Sequence, residues 1–233
     1  GEGNSMLKVA LWGDSIGRGV AFDISRGRYA VLRDYFGRIL EREGSIDIEN
    51  RARFGATAEE GLADFEATSD ISASVVAIEY GGNDCNMPWA DIANNPEGIY
   101  SPKVELSQFE KTLSDFVSAV RERGLRPLLV TPPPLHAPRF FEWISTGLNK
   151  ANILEFLGDI DNVYRWQERY ALAVHRVART LSTTLFDLRD AFLAQRDMPS
   201  LYSPDGMHPN EKGHQLIADA ALRFFSSWKL NLA

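Results

Sequence analysis

The chain has 233 residues, of which 44% are hydrophobic and 24% charged, and its formal net charge at pH 7 is −7. This size and composition predict one globular domain with a substantial core, and the acidic balance argues against a nucleic-acid partner, because affinity for the phosphate backbone depends on Lys and Arg. A single cysteine, Cys85, excludes an intrachain disulfide, and no apolar run approaches the roughly 20 residues needed to span a bilayer.

The first residues bear on the domain limits and on the compartment. Residues 1–5 read as the remnant of an expression tag, and residues 6–233 as a single domain. Met6 leads almost directly into the first predicted strand, which leaves no room for a signal peptide. If Met6 is the native start, the expected compartment is the cytoplasm.

Short apolar runs alternate with longer amphipathic stretches, which predicts repeated βα units and a mostly parallel sheet. The first strand is predicted over residues 8–12, and a helix follows over residues 28–43, where apolar residues recur at helical spacing. The next elements are a strand over 46–50, a short helix over 58–67 and a strand over 74–80. This third strand is apolar almost throughout, as is typical of a strand covered on both faces.

The second half of the chain contains two predicted excursions from this pattern. Residues 86–104 carry prolines and predict a loop, and residues 138–158 form an aromatic-rich insertion. Ser107 is predicted to cap a helix that runs to Arg123. The remaining predicted elements are a strand over 127–130, a helix over 161–181, a strand over 184–187 and a helix that Asn210 caps and that runs to about Trp228.

Polar residues follow the predicted strands at the points where the strands end. Ser15 follows the first strand, Gly55 the second and Asn83 the third, while Asp205 and His208 precede the last helix. Because the carboxyl ends of parallel strands share one edge of a sheet, we expect these residues to meet at one rim. Together they form a constellation that can cleave an ester.

Each of these residue types has a part in that chemistry. A serine hydroxyl such as that of Ser15 is a poor nucleophile until a base removes its proton. His208 is the candidate base, because an imidazole titrates near neutral pH, and Asp205 can hold it in the reactive tautomer. The candidate donors to the developing oxyanion are the backbone N–H groups of Ser15 and Gly55 and the side-chain amide of Asn83. The missing Cβ of Gly55 lets its backbone approach the substrate closely.

Four blocks of the sequence, taken in order, resemble those of the SGNH hydrolases, also called the GDSL esterase/lipase superfamily, over almost the whole chain. The blocks are Gly-Asp-Ser-Ile-Gly-Arg-Gly at residues 13–19, residues 50–57, Gly-Gly-Asn-Asp at 81–84 and Asp-Gly-Met-His-Pro at 205–209. There are two departures: Ile16 stands where the family usually has leucine, and Ala52 where it often has glycine.

The resemblance implies a fold and a reaction. The fold is a three-layer α/β/α sandwich with a mostly parallel, flavodoxin-like central sheet of about five strands. The reaction is hydrolysis of a carboxylic ester through an acyl-serine intermediate, without metal or cofactor. The implied nucleophile is Ser15, the acid and base are Asp205 and His208, and Gly55 and Asn83 complete the oxyanion hole.

The substrate stays open, because the family spans lipids, acetylated sugars, thioesters and simple esters. A short-chain or acetylated small-molecule ester is the expected substrate, and an acyltransferase or thioesterase that uses the same acyl-serine is the alternative. A nucleotide- or flavin-binding protein is a remote alternative, because residues 13–19 lack the G-x-G-x-x-G spacing. A non-catalytic relative should have lost a member of the triad, and all three residues are present.

The two excursions, residues 86–104 and 138–158, are predicted to build the substrate pocket. Phe140 and Trp143 are candidate pocket residues because aromatic rings can stack on a sugar or hold an acyl chain, although they can also pack the insertion onto the domain. His136 is a third candidate, because it follows the proline turn at the same edge of the sheet. No group of His, Cys and Asp residues has the spacing of a metal site.

Overall fold

A five-stranded parallel sheet forms the centre of the protein, which the computed structural model describes over residues 6–232. The predicted tag remnant at residues 1–5 lies outside the described residues. In chain order the elements are β1 (Leu7–Gly13), α1 (Ser15–Arg18), β2 (Val20–Asp23), β3 (Arg28–Val31), α2 (Phe36–Glu43), β4 (Ile46–Asn50), α3 (Ala58–Ala67), β5 (Val75–Glu79), α4 (Trp89–Asn94), α5 (Leu106–Glu122), β6 (Arg126–Val130), α6 (Ala137–Ile144), α7 (Lys150–Leu157), α8 (Asn162–Thr180), β7 (Thr184–Phe186), α9 (Leu188–Leu193), a 3₁₀ helix (Met198–Leu201) and α10 (Glu211–Leu232).

The order of the strands places a crevice beside β1. The sheet runs β4-β1-β5-β6-β7 and every pairing is parallel. Without the β2–β3 hairpin, which forms its own two-stranded sheet, this is the flavodoxin-like order. The chain leaves β1 toward one edge of the sheet and later returns on its other side as β5. In such sheets ligands bind at this switch point, at the carboxyl ends of the strands.

Helices cover both faces of the sheet, which makes three layers. Alternate residues of β1 point to opposite faces, so Val9 and Leu11 enter one core cluster, whereas Ala10 and Trp12 enter another. The first cluster includes apolar residues of α2 and α10, and the second includes those of α3, α5 and α8. All five residues of β5 are buried, as predicted for a strand covered on both faces. The predicted α/β/α class is therefore confirmed.

The predicted helix over residues 28–43 is wrong in its first half. Residues 28–31 form β3, which pairs antiparallel with β2 from Val20 opposite Val31 to Asp23 opposite Arg28. The turn is stabilised by Asp23, whose carbonyl accepts the N–H of Gly27 at 2.8 Å and whose carboxylate accepts the Ser25 hydroxyl at 2.7 Å. Gly27 has a φ of +65°. This local turn chemistry outweighs the helical spacing of the apolar residues.

The other differences are smaller. Residues 86–104 contain the short helix α4, the insertion at 138–158 contains most of α6 and all of α7, and α9 and the 3₁₀ helix were not predicted. Ser107 lies inside α5, whose N-cap is Glu105, so the predicted cap is wrong. Asn210 does cap α10, because its side-chain oxygen accepts the N–H of Gly213 at 3.0 Å. Within residues 6–232, no helix combines the length and apolar character needed to cross a membrane.

Candidate active site

Ser15 lies at the carboxyl edge of the sheet because β1 ends in a tight turn. The strand stops at Gly13, and Asp14 then caps the single-turn helix α1 by accepting the N–H of Ile16 at 2.9 Å. Ser15 is the first residue of that helix, and Asp14 occupies its N-cap position. Gly19 ends the helix with a φ of +89°, in the left-handed region that favours glycine.

Three side chains form a continuous chain of hydrogen bonds at this edge. The Oγ of Ser15 lies 2.7 Å from the Nε2 of His208, and the Nδ1 of His208 lies 2.6 Å from the Oδ2 of Asp205. The predicted nucleophile, base and acid are therefore brought together across a sequence separation of 193 residues between Ser15 and His208. All three residues are buried.

A tight turn holds Asp205 and His208 in this arrangement. The Oδ1 of Asp205 accepts the backbone N–H groups of Met207 at 2.9 Å and His208 at 3.0 Å. Gly206 has a φ of +67°, and a Cβ there would lie 2.6 Å from the carbonyl oxygen of His136. Burial acts to raise the pKa of Asp205, but the hydrogen bonds from His208 and from the two amides hold that pKa below its ordinary value. Asp205 is therefore an ionised acceptor at neutral pH.

The two other predicted oxyanion donors lie on adjacent loops. Asn83 follows β5, and its Nδ2 donates to the carbonyl of Ala56 at 3.1 Å, which ties it to the loop that carries Gly55. A primary amide has two N–H donors, so this bond leaves one of them for a ligand. Gly55 has a φ of +77°, and the position of a Cβ there is open. This left-handed conformation favours glycine at residue 55, and close approach of the substrate to its backbone stays a prediction.

Two buried carboxyl groups, those of Asp14 and Glu79, lie under the Ser15 turn. Neither carboxyl oxygen of Glu79 receives a hydrogen bond of normal geometry from residues 6–232. Burial raises the pKa of Glu79 well above its ordinary value, and the charge of Asp14 raises it further. Burial also raises the pKa of Asp14, while the hydrogen bond from the N–H of Ile16 acts to lower it. Burial and the charge of Asp14 therefore both favour the protonated form of Glu79.

This pair predicts how stability changes with pH. Because the pKa of Glu79 is higher in the folded than in the unfolded state, the folded state binds an extra proton, and stability falls as the pH rises from the unfolded toward the folded pKa. Glu79→Gln keeps a donor but cannot ionise. As the pH rises from 5 to 8, we expect the melting temperature of Glu79→Gln to rise relative to that of the parent. The difference should be about 2–4 °C for each kcal/mol of stability that the parent loses.

Thermal unfolding across that range checks this prediction, with Glu97→Gln as the control because Glu97 is exposed. We expect the melting curves of Glu97→Gln to follow the parent at each pH. A constant difference between Glu79→Gln and the parent from pH 5 to pH 8 would show that Glu79 does not hold the extra proton.

Sequence reasoning missed one residue of the site, Tyr29. Its hydroxyl donates to the Oδ2 of Asp205 at 2.7 Å, and its ring centroid lies 4.9 Å from that of His208. Phe54, which is 60% exposed, also stacks on the His208 ring, with the ring centroids 6.2 Å apart and an interplanar angle of 5°. Tyr29 was assigned to a helix, although the turn residues before it and the strand-favouring Tyr29 and Val31 are typical of a hairpin.

An apolar cavity of about 520 Å³ lies beside the site. Gly82 and Met207 line it and directly precede Asn83 and His208, so the cavity borders the candidate site. Both excursions contribute aromatic rings to its wall. These rings belong to Trp89, Tyr100, Phe140 and Phe156, and Trp166 of α8 adds a fifth.

The three predicted pocket residues occupy different places. Phe140 lines the cavity. Trp143 packs against the β2–β3 hairpin instead, with its ring 4.8 Å from Phe22 and 6.2 Å from Tyr29. His136 caps α6, where its Nδ1 accepts the N–H of Arg139 at 3.4 Å. Of the three predicted pocket residues, the cavity is therefore lined by Phe140 and not by His136 or Trp143.

Neither a metal cluster nor a thiolate is found near these residues. Among residues 6–232, no three His, Cys, Asp or Glu side chains are grouped so as to hold a metal ion. Cys85 lines the cavity, and burial raises the pKa of its thiol to about 12. The thiol is therefore protonated at neutral pH and is not a nucleophile there.

Known proteins share both the sequence pattern and the fold. A family profile described as the GDSL-like Lipase/Acylhydrolase family matches residues 11–216. The chain is 27% identical over 249 residues to the isoamyl acetate-hydrolyzing esterase 1 homolog of Rattus norvegicus, across 98% of this chain and 84% of that protein. It superimposes on the lipase/acylhydrolase from Enterococcus faecalis with a TM-score of 0.63 at 18% identity, over 95% of this chain and 96% of that one. The acetylxylan esterase Axe2 from Geobacillus stearothermophilus gives a TM-score of 0.61 at 21% identity, over 94% of each chain.

Proposed function

Because the chain belongs to the GDSL-like lipase/acylhydrolase family, we propose that it hydrolyses a carboxylic ester through an acyl intermediate on Ser15. The observation that carries this proposal is the continuous hydrogen-bonded chain from Ser15 through His208 to Asp205. In the first half-reaction the Oγ of Ser15 attacks the ester carbonyl while the Nε2 of His208 takes its proton. The buried carboxylate of Asp205 faces Nδ1 and stabilises the imidazolium that forms.

The first half-reaction ends when His208 gives its proton to the leaving alcohol and the tetrahedral intermediate collapses to the acyl-enzyme. The second half-reaction hydrolyses this acyl-enzyme. A water then enters, His208 removes its proton, and the hydroxide attacks the acyl carbon. Collapse of the second intermediate returns the proton to Ser15 and releases the carboxylic acid.

The negative charge on the carbonyl oxygen is assigned to three donors. These are the backbone N–H groups of Ser15 and Gly55 and the free amide hydrogen of Asn83. Ser15 opens α1, and its N–H is one of the groups at this end of the helix that have no intrahelical partner. The bond from Asn83 to Ala56 fixes the amide before substrate arrives, which is the preorganisation that such catalysis requires.

Asn83→Ala is expected to lower kcat by about 10²–10³, which is the usual cost of removing one oxyanion donor. Its stability should fall only by the loss of one hydrogen bond, about 1 kcal/mol. Steady-state kinetics and thermal unfolding measure both quantities. Asn94→Ala is the matched control, because Asn94 is exposed at the end of α4 and should leave kcat unchanged. A change of less than about threefold in Asn83→Ala would remove Asn83 from the oxyanion hole.

We further propose that the acyl group is short, and that the cavity holds the alcohol portion of an acetyl ester. Two relatives support this, since one is named for the hydrolysis of isoamyl acetate and another for acetylxylan. The cavity volume of about 520 Å³ lies in the range of small-molecule sites, and its aromatic wall suits an apolar or sugar alcohol.

Hydrolysis of p-nitrophenyl esters from acetate to palmitate tests the proposed acyl preference. We expect kcat/KM to peak at acetate or butyrate. A peak at octanoate or longer would show that the cavity holds the acyl chain. Hydrolysis of none of these esters would contradict the proposed reaction, and adding an acceptor alcohol would then show whether the acyl group is transferred instead.

A further inference from the structure

The β2–β3 hairpin brings a tyrosine from the start of the chain to the acid of the triad near its end. Tyr29 and Asp205 are 176 residues apart, and the hydroxyl of Tyr29 donates to the Oδ2 of Asp205 at 2.7 Å. A second bond holds the hairpin against the same turn, because the N–H of Phe22 donates to the Oγ of Ser203 at 3.1 Å. Ser203 in turn donates its N–H to the carbonyl of His208 at 2.7 Å.

The hydroxyl of Tyr29 completes the hydrogen bonding of Asp205. The Oδ1 accepts two backbone N–H groups of the turn, and the Oδ2 lies within hydrogen-bond distance of both His208 and Tyr29. A carboxylate accepts about four hydrogen bonds, so all its positions are used. Of these four partners, Tyr29 alone comes from outside residues 205–208.

The ring of Tyr29 is held in place from several sides. Its centroid lies 5.3 Å from that of Phe22, 5.7 Å from Phe54 and 6.2 Å from Trp143. Burial raises the pKa of the Tyr29 hydroxyl, and the bond to Asp205 and its charge raise it further. The hydroxyl therefore remains a donor throughout the pH range in which an esterase is assayed.

We propose that Tyr29 is a positioning residue for ester hydrolysis, which acts through the Oδ2 of Asp205 on the orientation and the charge of the carboxylate that faces His208. This inference rests on the proposed function of Ser15, His208 and Asp205. Without the hydroxyl, the carboxylate can rotate about its remaining bonds, and the imidazole loses part of its fixed orientation. The Oδ2 also carries more negative charge, which stabilises the imidazolium relative to the neutral base.

The effect on the charged state of His208 has a definite sign. A more negative Oδ2 favours protonation of His208, so the acid limb of the kcat/KM profile moves to higher pH. The other titratable groups whose charges act on His208 are Asp14 at the start of α1 and His214 on α10. Both remain in place when a phenylalanine ring replaces Tyr29, because the replacement removes only the hydroxyl.

Tyr29→Phe in the full chain tests the proposal with p-nitrophenyl acetate between pH 5 and pH 9. We expect kcat to fall about tenfold, as for a lost hydrogen bond to a charged group, with KM within about twofold of the parent. The acid limb of kcat/KM should move to higher pH. Tyr170→Phe is the matched control, because the buried Tyr170 hydroxyl donates to the carbonyl of Val104 at 2.6 Å and, within residues 6–232, has no hydrogen bond to a triad residue. It should keep the parent's kcat and acid limb.

Three results would overturn the proposal. They are a parent-like kcat and acid limb in Tyr29→Phe, a fall in kcat with an unmoved limb, and a change confined to KM, which would make Tyr29 a substrate contact. Thermal unfolding of each variant shows whether it is folded at the assay temperature. Ser15→Ala in the same assay separates the two claims: if it is active the proposed function fails, and if it is inactive an unaffected Tyr29→Phe overturns only the role of Tyr29.

Discussion

Ser15→Ala is expected to abolish ester turnover, with a loss in kcat of about 10⁴ or more. The hydroxyl oxygen is the atom that forms the covalent bond, and no other side chain hydrogen-bonds to the Nε2 of His208 among residues 6–232. The fold should remain intact, because Asp14 caps α1 and the backbone of Ser15 keeps its helical position. Only the bond to His208 is lost.

Rates with p-nitrophenyl acetate and thermal unfolding check both parts of this prediction. Ser101→Ala is the control, since Ser101 is exposed on the loop after α4 and should keep the parent's rate. Activity within about tenfold of the parent, in protein whose mass confirms the substitution, would exclude Ser15 as the nucleophile. An inactive Ser15→Ala that melts like the parent supports the assignment.

His208→Gln is expected to cost nearly as much, about 10⁴ in kcat, because a neutral amide cannot take the proton of Ser15. Glutamine retains an N–H group that can face the ionised carboxylate of Asp205. The buried charge is therefore not left without a side-chain donor, and stability should change less than activity. The double variant that carries both His208→Gln and Ser15→Ala should lose little more kcat than either single variant, because both residues take part in one proton transfer.

His175→Gln is the matched control for this change. His175 is 41% exposed on α8, where its Nε2 lies 3.7 Å from the Oδ2 of Asp187 and far in sequence from the site. It should retain the parent's kcat. Loss of activity in His175→Gln, or retention of it in His208→Gln, would reassign the base.

The sheet and most of its helices could be predicted because their patterns are local. The strand over residues 46–50 and the helix over 58–67 have the predicted limits, since each combines a periodic apolar face with clear end signals. The sequence predicted that Ser15, Asp205 and His208 lie close together, because parallel strands end at one edge of the sheet. Their contacts in the structure follow from that topology.

The hairpin and its tyrosine could not be obtained in the same way. Tyr29 stands at a spacing from Leu32 and Phe36 that fits a helix. Because of this helical spacing, the turn at Gly27 was not predicted. The bond from Tyr29 to Asp205 depends on where the hairpin lies against a turn 176 residues later, which no local pattern encodes. The raised pKa of Glu79 likewise depends on burial, which no local sequence pattern gives.

The loops around the site show a similar limit. Glycine at residue 55 was expected for close approach to the substrate, and its left-handed backbone gives a second reason, which no sequence pattern indicated. His136 and Trp143 were expected in the pocket because they follow the carboxyl edge in sequence. The helix α6 instead places His136 at its N-cap and Trp143 against the hairpin.

The central claim, that Ser15 is the nucleophile, is tested most directly by covalent labelling with a p-nitrophenyl alkylphosphonate. An attacking serine displaces p-nitrophenolate and keeps the phosphonyl group on its oxygen. Trypsin cleaves after Lys8 and Arg18, and Ser15 carries the only hydroxyl in the peptide of residues 9–18. We expect one p-nitrophenolate per chain, complete loss of activity and the added mass on this peptide. Inactivation with the label on any other peptide would contradict the assignment of Ser15.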